Sequence, residues 1–92
     1  MCTYVVEKAD IAGSGKGVQG WFPLTGANVA FDHPAHAPLE HALLIDFVNE
    51  TQGPGARVAV EMSADSARKL VKAIQAALAA GEAELGLVGA TA

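Results

Sequence analysis

The hydrophobic period of this chain changes once, at Ser63. Upstream, apolar residues fall into short runs that alternate at the two-residue spacing of a strand. Downstream, Leu70, Val71, Ile74, Ala77 and Leu78 recur at helical spacing. Ser63 is a residue type that caps helices, and Asp65 places a negative charge at the positive end of the helix dipole. Strands first and one helix last predict an α+β fold: a four-stranded antiparallel meander with one C-terminal helix packed on one face.

The strands are placed by their turns. Residues 2–9, with Tyr4, Val5 and Val6, suit a first strand. Gly13-Ser14-Gly15-Lys16-Gly17 reads as a flexible turn. It lacks the P-loop spacing, because glycine rather than Ser or Thr follows the lysine and no helical pattern begins. Trp21-Phe22-Pro23 is expected to plug one end of the core, or else to form an aromatic wall beside a ligand pocket. Residues 27–33 form a second strand, with Val29, Phe31 and His33 on one face and Asn28, Ala30 and Asp32 on the other. Residues 41–49 form a third, with His41, Leu43, Ile45 and Phe47 opposed to Leu44, Asp46 and Val48. Thr51-Gln52-Gly53-Pro54-Gly55 is a turn, and residues 56–62 form a fourth strand with Val58, Val60 and Met62 on its apolar side. Gly81 suits a helix stop. The expected organisation is one α+β domain over residues 1–81 and a flexible tail over 82–92.

Composition limits the partners. With 92 residues, 51% of them hydrophobic, the chain is apolar for its size. Small domains gain stability by association, so a homodimer or larger homo-oligomer is expected. Its contact face is read as the side opposite the helix, with Ala30, Leu44 and Val48; Asp46 on that side is left to solvent or to a partner subunit. A net charge of −4 without a basic run argues against nucleic acid. No stretch approaches a membrane span, and the N-terminal residues do not read as an export signal; a cytoplasmic protein is expected.

Chemistry is sought where the histidines are. All three, His33, His36 and His41, lie within nine positions, with Asp32 and Glu40 beside them. Strand parity points His33 and His41 the same way at one end of the sheet, and Pro34 and Pro38 keep the connection irregular. Three imidazoles with one position left open are the donor set of a catalytic-type zinc site. Zinc is therefore the first expectation, with copper, iron or nickel also compatible. Cys2, the lone cysteine, would add a fourth ligand if Met1 is removed. Asp32 and Glu40 would orient the imidazoles from behind. An open metal activates water or acts as a Lewis acid, which leaves a metal-dependent activity open. The alternative is a non-catalytic oligomeric accessory domain or a small-ligand-binding domain.

Four stretches carry a resemblance: Met1-Cys2-Thr3-Tyr4-Val5, Gly20-Trp21-Phe22-Pro23, Phe31-Asp32-His33-Pro34 through Ala37-Pro38-Leu39-Glu40-His41-Ala42-Leu43, and Ile45-Asp46-Phe47-Val48-Asn49. In these the chain resembles a family of short actinobacterial proteins of unknown function. The resemblance extends over nearly the whole chain. It implies a compact domain and supplies no catalytic residues.

Overall fold

The computed structural model describes residues 6–86. Four strands, β1 (Val6–Gly17), β2 (Gly20–Asp32), β3 (Ala42–Val48) and β4 (Arg57–Met62), precede one helix, α1 (Ala64–Leu85). A short 3-10 turn, Glu50–Gln52, lies between β3 and β4. The sheet order is β1-β2-β3-β4 and every pair is antiparallel, so the expected meander forms.

The first hairpin is longer than the sequence reading allowed. The expected strand over 2–9 lies partly outside the described residues, but β1 runs on to Gly17, and the glycine-rich stretch is strand rather than flexible turn. Gly15 and Gly17 have a packing reason. A Cβ at Gly15 would meet the Leu24 side chain at 3.1 Å, and one at Gly17 would meet the Phe22 ring at 3.3 Å. The glycines thus leave room for two large β2 side chains to lie over β1. Two β1 residues, Ile11 and Ala12, oppose one β2 residue, Thr25, in a β-bulge. Val18 and Gln19 make the two-residue turn, and Gly20 supplies the positive φ of 106° that follows it.

The rows of the sheet have distinct faces. Phe31, Leu43 and Met62 lie side by side, as do Val29, Ile45 and Val60, and then Ala27, Phe47 and Val58. This face is apolar, as parity predicted. The other carries Lys8, Asn28, Asp46, Arg57 and Glu61 among Ala30, Leu44 and Val48. Ser14, Gly15 and Lys16 of the long hairpin line a small cavity with Leu24, Phe47 and Val58. The hairpin therefore curls over one end of the apolar face and leaves the Phe31 end open.

Asn49 ties together the end of the fold opposite Phe31. It is the one buried polar residue among those described, at 3% exposure. Its Nδ2 donates to the Pro23 carbonyl at 2.9 Å. Its Oδ1 accepts from the Thr51 backbone N–H at 3.0 Å and from the Thr51 hydroxyl at 2.6 Å. The backbone N–H of Asn49 donates to the Ala56 carbonyl at 3.1 Å. One side chain thus joins β2 to the β3–β4 connection.

Helix α1 begins as expected and ends later. Ser63 Oγ accepts from the Ser66 N–H at 3.1 Å, and Asp65 lies in the first turn. Gly81 does not stop the helix. Ala79, Ala80, Glu82, Ala83 and Glu84 around it are strong helix formers, and one glycine costs only about 1 kcal/mol against them. Gly86 is the cap instead, in the left-handed region at φ 68°, with its N–H donating to the Ala83 carbonyl at 3.3 Å. Residues 82–85 of the expected tail are therefore helical, while Leu87 and Val88 lie outside the described residues.

The helix meets the sheet chiefly at β3 and leaves its apolar stripe in water. Leu70, Val71, Ile74, Leu78 and Leu85 are all exposed. In a chain this apolar, the only buried hydrophobic residues among those described are Ala27 and Ala42, and no large side chain is fully buried. The radius of gyration, 15.1 Å, exceeds the roughly 12 Å expected of a compact chain of this length.

Candidate functional site

The histidine segment connects β2 to β3 at the open end of the apolar face. The Phe31 and His41 rings stack with centroids 5.9 Å apart and planes at 17°. His33 stacks on His41 at 4.6 Å and 30°. The parity argument thus brought His33 and His41 together, but as a ring stack. His33 Nδ1 lies 2.8 Å from the Glu40 carbonyl. A carbonyl only accepts, so that nitrogen carries the proton.

This geometry overturns the three-histidine metal site. A metal lies in the plane of each imidazole that binds it. Two nearly parallel stacked rings aim their nitrogens alongside one another rather than at a common point. Among the described residues, no group of three His, Cys, Asp or Glu side chains is placed to hold a metal ion. The expected metal-binding function with a three-histidine site is corrected accordingly. Cys2, the expected fourth ligand, lies outside the described residues.

Glu40 orients His33 through its backbone carbonyl. Asp32 Oδ1 is buried with no hydrogen-bond partner among the described residues. Asp46, expected to face solvent or a partner subunit, pairs within the chain with Arg57 at 2.9 Å.

Glu61 is the residue that organises the loop, and the sequence reading missed it. It pairs with Leu44 on the polar face. Its carboxylate accepts the backbone N–H of Ala35 at 2.6 Å, of His36 at 3.0 Å and of Ala37 at 2.8 Å. The Ala37 and Ala35 hydrogen bonds hold its pKa below the ordinary carboxylate value against the opposing effect of burial, helped by the N–H and the charge of His36. The available signal was local: Glu61 is the one charge inside Val58-Ala59-Val60-Glu61-Met62, and three successive loop N–H groups between Pro34 and Pro38 need an acceptor.

Two surfaces remain. One is the open apolar patch of Val29, Phe31, Leu43, Ile45, Val60 and Met62, edged by the His33–His41 stack. The other is an open cleft of about 410 Å³ at the tip of the first hairpin, lined by Trp21 and Phe22 with Gln52, Gly55 and Ala56. Trp21 does not plug the core; it is 71% exposed and forms part of the cleft wall.

A family match spans residues 1–87. The chain belongs to DUF6295, a family of unknown function. The matched span includes all of α1. Neither the curated proteins nor the solved structures provide a match. No helix among the described residues is long and apolar enough to cross a membrane.

Proposed function

We propose that this protein is a homo-oligomeric accessory domain that exerts its role through the surfaces it presents once assembled. One observation carries the reading: a chain that is 51% hydrophobic has no large side chain fully buried among its described residues. A sheet face and a helix stripe must each be covered by another layer for a domain to have a core. Here both stand open, and exposed apolar patches of this extent mark interaction surfaces. The interface first read from the sequence, around Ala30, Leu44 and Val48, is the weaker candidate, because charged Lys8, Asp46, Arg57 and Glu61 share that face. The apolar face with Phe31 and Ile45 is the stronger one. The cytoplasm is taken as its setting, which cell fractionation tests.

Thermal unfolding at several protein concentrations tests the reading. An assembled native state melts at a temperature that rises with protein concentration, by mass action. A midpoint that stays constant over a hundredfold range of concentration would refute it.

A further inference from the structure

We propose that the open sheet face is covered by helix α1 of a second copy, exchanged reciprocally between two chains. The proposal rests on the self-association argued above and names what fills the interface.

The helix cannot readily cover its own sheet. β4 ends at Met62 and α1 begins at Ala64, so Ser63 is the whole connection. Ser63 is also the cap: its Oγ accepts from the Ser66 N–H at 3.1 Å and donates to the Ser66 hydroxyl at 3.0 Å. A one-residue connection leaves the helix little slack to turn back over the sheet. Folding α1 back across Ile45 and Val60 would require this connection to be remade.

A second copy offers what is missing. Each chain has one exposed apolar stripe, Leu70, Val71, Ile74 and Leu78, and one apolar sheet patch in which Phe31 is exposed and its neighbours are half-buried. In a two-fold assembly, residue i meets residue j and j meets i. Helix on sheet, exchanged both ways, therefore covers all four surfaces with one operation. Pairing sheet with sheet would leave both helix stripes in water, and pairing helix with helix would leave both sheets.

The dimensions match. From Leu70 to Leu78 the stripe rises about 12 Å along the helix axis. The sheet patch crosses β2, β3 and β4, whose outer two strands lie about 10 Å apart.

Mixing two defective chains tests the exchange. One variant is Leu78→Glu on the helix and the other is Ile45→Lys on the sheet, with circular dichroism checking that each keeps its fold. Each alone carries two spoiled helix–sheet contacts per dimer. A mixed dimer has one doubly spoiled contact and one that is intact. Native mass spectrometry should show the mixed dimer forming at least about tenfold more tightly than either variant alone. Pairing of sheet with sheet or helix with helix gives no such rescue, and a dimer without rescue would overturn the exchange while leaving self-association standing. A chain that is monomeric without any substitution would overturn both.

If either charged variant fails to fold, cysteine pairs decide the matter. In a Cys2→Ser background, cysteines at Leu70, Ile74 or Leu78 are combined with cysteines at Val29, Ile45 or Val60, using one isotopically labelled chain. Disulfides between labelled and unlabelled chains support the exchange. Disulfides formed only within a chain, or only helix to helix, refute it.

Discussion

Leu78→Ala separates an exposed leucine from an interfacial one. In an isolated chain Leu78 is 58% exposed. Truncating it there should cost less than about 1 kcal/mol, because little of its area is buried and alanine is the better helix former. In the assembled protein the exposed part leaves water. Full burial of a leucine contributes about 1.5–3 kcal/mol, so the newly covered part contributes about 0.9–1.7 kcal/mol per side chain. Two symmetry-related copies then weaken the dimer by about 2–3.5 kcal/mol, which is roughly a 30- to 400-fold rise in the dissociation constant. Sedimentation velocity across a dilution series reads that shift directly. Association midpoints for Leu78→Ala and wild type that agree within about threefold would refute the reasoning, since an unburied leucine contributes nothing to assembly.

Other outcomes follow from the fold itself. Asn49→Ala removes a buried side chain that bonds Pro23 and Thr51, and should lower stability by about 2–3 kcal/mol in chemical denaturation, because the groups left behind stay unpaired; a loss under about 0.5 kcal/mol would show that water replaces it. Glu61 makes loop anchoring sensitive to pH. Its folded pKa lies below the ordinary value of 4.5 because the N–H groups of Ala37, Ala35 and His36 bond the charged form. The anchoring is therefore fully present above about 4.5 and is lost as pH falls through the lowered folded value. Amide exchange at residues 35–37 should quicken over that acid range beyond its intrinsic pH dependence, and Glu61→Ala should abolish the protection at neutral pH; equal protection in the variant would remove Glu61 from this role.

Much of the architecture was legible because it depends on period. Alternation through Val29–Phe31, Leu43–Phe47 and Val58–Met62 fixed which side chains share a face, and Ser63 marked where the helix begins. The glycine stretch was misread because Gly13, Gly15 and Gly17 carry no hydrophobic signal. For Gly15 and Gly17 the reason lies on the neighbouring strand, in Leu24 and Phe22. Gly81 was misread because its alanine-rich surroundings outweigh one glycine. At the histidine segment, parity correctly paired His33 with His41. It could not distinguish convergence on a metal from stacking, which depends on ring rotation about the side-chain bonds. Glu61 was invisible for a related reason: its partners are backbone N–H groups 24 to 26 residues away, and sequence spacing does not encode them.

Sedimentation equilibrium of the untagged full chain at tens of micromolar tests the central claim most directly. The account predicts a mass of twice 9.4 kDa or a higher multiple. A single species at 9.4 kDa, unchanged up to the highest soluble concentration, would contradict it.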